Sequence, residues 1–297
     1  MIKTIKIITA ILFISLYLQV DAYYIEAGSS TVREDSVYLK DGVFLRTDRY
    51  ECSTSVAVLV RSDSTVIMNR QLKLTSGDSL TIDAESGIYN DALKNFNLHR
   101  PFLTIDKLTV SSLNGIMDFN DSIYIFTDST YLASEGLSVA CDSFYRDNAE
   151  GKNYFTGNVA YYDSANDFTI EALYLDNSIE DSIYIFNDSV VIYNDSFNLY
   201  TDSLIYNKLQ RSGIIPVYCL IQSEQTDIEG DSAVFTGSND FIDSIDVLGE
   251  VKFAGEDAQQ KSSVQCDLLS ITIIDGGINK IIFNNVSSAE IIIEKDD

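Results

Sequence analysis

The chain of 297 residues has no tryptophan, one histidine and two prolines. A single histidine cannot build a histidine-based metal centre. His99, beside Arg100-Pro101, has no serine or cysteine motif around it to activate, and reads as a loop residue. No G-x-S-x-G elbow, phosphate-binding glycine loop or H-E-x-x-H run occurs, so the chain is expected to be no enzyme and to need no cofactor. The scarcity of proline suits long paired strands, where its missing N–H would break the ladder. Positive charge is scarce too: 20 Lys and Arg stand against 45 Asp and Glu, a net of −25. Such a surface repels nucleic acid and anionic headgroups and offers no basic stripe for phosphate. No nucleic-acid partner is expected, and the acidity itself reads first as solubility.

Long apolar runs are also missing, with one exception. Met1, Lys3 and Lys6 give a short basic start, and residues 7–18 (IITAILFISLYL) are almost unbroken apolar. That length fits a signal-peptide core and is short for a bilayer span. Val20-Asp21-Ala22 offers small side chains for cleavage after Ala22, so residues 1–22 are expected to be removed on export, leaving a soluble periplasmic chain. The other reading is an uncleaved anchor. Cysteine is sparse and scattered: Cys52, Cys141, Cys219 and Cys266 never approach the close spacing of a zinc or redox motif. Two disulfides in an oxidising compartment, or four small buried strand residues, both satisfy this pattern.

What is abundant is Asp-Ser followed by alternating apolar residues. The dipeptide begins at Asp35, Asp63, Asp78, Asp121, Asp128, Asp142, Asp163, Asp181, Asp188, Asp195, Asp202, Asp231 and Asp243. The densest stretch, residues 181–208, is four units of seven: DSIYIFN, DSVVIYN, DSFNLYT, DSLIYNK. A coiled-coil heptad needs good helix formers, whereas these units are filled with β-branched, aromatic and turn residues. The expectation is therefore a strand of about five residues per unit with a two-residue turn, placing Asp188, Asp195 and Asp202 in equivalent turns. Residues 121–148 also align without a gap to 181–208, an offset of 60. A repeat of that length implies stacked units sharing a core. The fold class expected is all-β, a stacked antiparallel meander or open β-jellyroll.

The many aspartates invite two chemical readings. Paired as acid and base they would suit a glycosidase, but a fixed place in a repeating turn fits backbone capping better. Calcium needs several converging oxygens, typically D-x-D-x-D-G or G-G-x-G-x-D runs. Neither occurs, and no metal site is expected.

Residues 154–178 read YFTGNVAYYDSANDFTIEALYLDNS: a G-N-V triplet, an apolar strand, a polar turn, and a strand closing on Y-x-D/N. Residues 190–207 keep that frame without Gly-Asn, and Gly249-Glu250-Val251 is a degenerate third opening. Over about residues 120–255 the chain resembles the OstA-like family of periplasmic lipopolysaccharide-transport proteins. The resemblance implies an open β-jellyroll holding acyl chains inside and joining end to end, by edge-to-edge strand pairing, with other lipopolysaccharide-transport proteins. Its implied partners are thus lipopolysaccharide or a related lipid, and those proteins. Residues 23–119 are read as an N-terminal β-repeat region and 120–297 as the region of resemblance, or both as one stack.

Within this reading, strand phase selects the inward residues. Ile183, Ile185, Val190, Ile192, Phe197, Leu199 and Leu204 share one phase of the seven-residue units, and Val159 holds the like place in the G-N-V frame. These eight are expected to line a lipid groove. The pattern alone fits a filled core of a structural or adhesive repeat protein equally well.

Overall fold

A computed structural model gives the fold. It describes residues 24–293 apart from 48, 78–79, 165–167, 179–181, 195, 238–241, 257–259 and 275–276. The expected signal segment 1–22 and the expected turn residue Asp195 lie outside the described residues. The chain divides into two compact units, Met1–Tyr124 and Ile125–Asp297.

The described residues form strands and turns, with no helix among them. The first unit contains β1 (Tyr24–Arg33), β2 (Ser36–Arg46), β3 (Glu51–Val60), β4 (Thr65–Ser76), β5 (Leu80–Asn90), β6 (Asn95–His99), β7 (Phe102–Ile105), β8 (Leu108–Ser111) and β9 (Asn114–Asp118). The second takes most of β10 (Ile123–Ser134), then β11 (Leu137–Asp147), β12 (Lys152–Asp163), β13 (Phe168–Ser178), β14 (Ile183–Asn194), β15 (Phe197–Asn207) and β16 (Ser212–Ile215). It continues with β17 (Cys219–Gln222), β18 (Thr226–Gly230), β19 (Ser232–Gly237), β20 (Ile242–Glu256), β21 (Gln260–Ile274) and β22 (Gly277–Ile293). Successive long strands pair antiparallel, as in β11 to β15, so the stacked antiparallel fold expected from the repeats is what forms.

The strands are longer than the seven-residue units allow. β14 runs straight through Asp188-Ser189 and β15 through Asp202-Ser203. The expectation of a turn at every Asp-Ser is therefore corrected: a strand spans two units, with a bend at its middle. At the bend of β14 both Asp188 and Ser189 are left-handed (φ 62° and 54°). The ladder skips from Asn187–Ser203 to Val190–Thr201, so two residues oppose one, as in a β-bulge. The same two-residue step occurs at Asp41-Gly42, Arg70-Gln71, Asp128-Ser129 and Gly157-Asn158. Gly249 marks the like break in β20. Asp, Asn and Gly recur there because they tolerate the left-handed region.

These bends stack into a ridge that divides each unit into two half-sheets. In the first unit, half-sheet A holds residues 36–40, 56–60, 65–69 and 86–90 with β6 and β9; half-sheet B holds 43–46, 51–53, 72–76 and 80–84 with β7 and β8. In the second unit, half-sheet A holds 143–147, 152–156, 174–178, 183–187 and 203–207 with β16 and β19. Half-sheet B holds 137–140, 159–163, 168–172, 190–194 and 197–201 with β17 and β18. The two prolines sit on the ridge. Where Pro101 and Pro216 interrupt the ladder, a long strand is replaced by two short ones, β6 and β7 in one case and β16 and β17 in the other. The inward side chains of both half-sheets are buried, among them Leu39, Leu45, Phe186, Ile192, Leu199 and Leu204. Each such side chain contributes roughly 1.5–3 kcal/mol.

Candidate functional site between the half-sheets

Six of the eight expected groove residues face the space between the half-sheets of the second unit. Val159, Val190, Ile192, Phe197, Leu199 and Leu204 are all buried there. Ile183 and Ile185 are not. Ile183 is 40% exposed and Ile185 half-buried on the outer face, while Tyr184 and Phe186 point inward. The reason is the bend. A two-residue step preserves strand parity, so the inward set in β14 is Tyr184, Phe186, Val190 and Ile192. In β15 a one-residue offset at Asp202 shifts it from Leu199 and Thr201 to Leu204 and Tyr206.

The ridge is held by carboxylates from neighbouring segments. Asp142 of β11 accepts a hydrogen bond from Asn158 Nδ2 (2.9 Å), and Asp231 accepts one from the Glu250 backbone N–H (3.0 Å). A Cβ at Gly157 or Gly249 would fall on those same carboxyl groups, so the glycines make room for their caps. Thr54 donates to the Asn69 and Arg70 carbonyls at the bend of β4, each at 3.0 Å. The G-N-V triplets and the Asp-Ser dipeptides at Asp128 and Asp188 are thus one structural position.

Opposite the ridge, each unit is closed by aromatic rings that meet across the half-sheets. In the first unit Tyr50, leading into half-sheet B, lies 5.8, 5.0 and 4.7 Å from the rings of Tyr89, Phe96 and Phe119 on the A side. Arg49 donates to the Phe119 carbonyl across the same seam. Tyr89 donates to Asp91, which also receives Lys94 Nζ at 2.6 Å. In the second unit Tyr161 of half-sheet B meets Tyr184 and Phe186 of half-sheet A at 5.2 and 5.3 Å, and Phe168 meets Tyr206 at 5.3 Å. Tyr206 donates to the fully buried Asp163 carboxylate (3.3 Å). Burial pushes the Tyr50, Tyr89, Tyr161 and Tyr206 hydroxyls far above their ordinary pKa, so all four stay protonated. The residue reading missed these rings as a group, although the Y-x-D/N frame marks them: Tyr89-Asn90-Asp91 and Tyr161-Tyr162-Asp163 end their strands at the seam.

Four cysteines remain free thiols and are buried in strands. Burial pushes Cys52 and Cys141 up to about 12 and Cys219 to about 11. Such thiols are poor nucleophiles and poor metal ligands. No group of three or more His, Cys, Asp or Glu among the described residues is placed to hold a metal ion.

On β22 the inward phase continues through Ile281 and Phe283, which pair with the buried Ile271 and Leu269, then reaches Val286, half of whose surface is exposed. Along its second edge β22 pairs with no strand among the described residues.

The fold and site define a class: a bent antiparallel stack enclosing an apolar interior. No family model matches the chain, and no curated protein matches it. Among solved structures, the chain is similar to LptH from Pseudomonas aeruginosa, described as the LptA-homologous periplasmic component of the conserved lipopolysaccharide transport device. The match covers 42% of this chain and 75% of that one, at 7% identity and a TM-score of 0.19. An overlap that loose assigns nothing to this chain.

Proposed function

We propose that the chain is an exported periplasmic carrier, not an enzyme. On this reading the second unit holds the acyl chains of lipopolysaccharide or a related lipid between its half-sheets and helps pass them toward the outer membrane. The observation that carries the reading is the apolar interior that runs from strand to strand and emerges uncovered at β22. Among the described residues one edge of β22 is unpaired, and its 17 residues carry two charges, Lys280 and Glu290. Long, weakly charged edges favour strand addition, so β22 is the proposed docking edge for another transport protein. The sequence resemblance over residues 120–255 points the same way.

A structural or adhesive protein with a filled core is the second reading, favoured by the rings packed between the half-sheets. Native mass spectrometry of protein purified from periplasm separates the two. The carrier reading expects co-purified lipid at about one molecule per chain. Lipid-free protein from cells rich in that lipid would leave the filled core as the better account.

A further inference from the structure

We propose that the aromatic seam of the second unit is a latch: Tyr161, Asp163 and Phe168 on half-sheet B close against Tyr184, Phe186 and Tyr206 on half-sheet A, and this closure must part before anything enters the interior from the side opposite the ridge. What enters rests on the carrier reading above; the latch itself does not.

Three observations carry the proposal. First, the seam lies opposite the ridge, where the described half-sheets are joined by ring contacts and not by continuous backbone. Parting it breaks ring contacts and the cross-seam hydrogen bond from Tyr206 to Asp163, and no backbone ladder among the described residues. Second, closure is imperfectly satisfied. The Tyr161 side chain is fully buried, and its hydroxyl has no hydrogen-bond partner when the seam is shut. A buried, unpaired hydroxyl penalises the closed state, and water reaching it on opening removes the penalty. Third, the first unit repeats the design with different residues. Tyr50, Tyr89, Phe96 and Phe119 meet across its seam, and Arg49 bonds the Phe119 carbonyl where Tyr206 bonds Asp163 in the second unit.

The buried thiols provide a readout that needs no lipid. Cys141, Cys219 and Cys266 belong to the second unit and Cys52 to the first, so Cys52 serves as an internal reference. The mature protein is treated with a thiol-reactive disulfide reagent (5,5′-dithiobis-2-nitrobenzoate) in native buffer, and labelling at each cysteine is followed by mass spectrometry. A latch predicts that the second-unit thiols react by a partial opening, at a rate nearly independent of low urea. Tyr206→Phe, which keeps the ring and removes the cross-seam donor, should speed that labelling several-fold. Tyr161→Phe, which removes the orphaned hydroxyl, should slow it several-fold. Neither should change Cys52. The proposal is overturned if both variants leave second-unit labelling at the wild-type rate, or if labelling in all three proteins follows the rate of global unfolding. Uptake of the apolar fluorophore N-phenyl-1-naphthylamine is measured in parallel. Thiols that respond as described in a protein that takes up no fluorophore would support the latch and count against the carrier reading.

Discussion

Gly151 and Gly157 both adopt left-handed backbone, at φ 66° and 73°, yet only one of them is crowded. Gly151 sits in a hairpin turn with open space where a Cβ would be, whereas Gly157 lies against the Asp142 carboxylate. Gly151→Ala should therefore cost about 1–2 kcal/mol, the left-handed penalty alone. Gly157→Ala should cost clearly more, because the cap must also move. Equal losses in a urea titration would remove the ridge-cap account. Asp176 supplies a pH test. Burial raises its pKa above the model-peptide 3.8, partly opposed by Lys152. A carboxyl whose folded pKa is raised favours folding when protonated, and loses that contribution as pH climbs from 3.8 through the folded value. Asp176→Asn should then be more stable than wild type at neutral pH, with the difference shrinking toward pH 3. A difference that stays constant with pH would show that burial of the charge is not its source. Residue identity made the interior legible at Val190, Ile192, Phe197 and Leu199. It misled at Ile183 and Ile185 on the outer face, where Ile185 belongs to a row of cross-strand pairs, Ile185–Ile205–Ile214–Val234. β-Branched residues are favoured on a pleated surface whichever side it faces, so composition could not tell the two faces apart.

The strand, at eleven or twelve residues, is the element that the seven-residue rhythm conceals. Asp-Ser marks both ends of half a strand: at Asp35, Asp63 and Asp121 it lies in a hairpin turn, and at Asp128 and Asp188 in a mid-strand bend. Short polar side chains suit both settings for the same reason, since they bond nearby backbone and tolerate left-handed φ. The period was legible in the sequence; which repeats turn the chain back and which only bend it was not, because that depends on what pairs alongside. The structure separates even identical dipeptides. Ser189 is left-handed in the bend of β14. Ser203 continues the strand of β15 opposite it and donates to Asn187 Oδ1 at 3.1 Å. Ser189→Gly should be neutral or stabilising, since glycine relieves the left-handed strain. Ser203→Gly should lose about 0.5–1 kcal/mol, the ordinary cost of glycine in a strand. Thermal midpoints of the two variants check this, and a loss of stability at Ser189 matching that at Ser203 would contradict the bend.

The molecule is electrically lopsided. Residues 23–124 carry 10 basic and 14 acidic side chains, and residues 125–297 carry 8 and 30. Self-repulsion of that size destabilises a compact state and is screened by salt. Raising NaCl from about 10 to 500 mM shortens the screening length several-fold, and should raise the melting temperature of the second unit more than that of the first, as read by hydrogen exchange on heating. An equal response would mean that the charges are too well spread to matter. The acidity also bears on the proposed cargo: anionic headgroups must stay clear of this surface, so only acyl chains would be sheltered. Whether they are is measured by placing a photo-crosslinking amino acid at single positions in living cells and identifying the adducts by mass spectrometry. The carrier account predicts lipid adducts at the inward Ile192 and Phe197, and none at Ile185 or Asn198 on the outer face. Folded, exported protein without adducts at either inward position would contradict it.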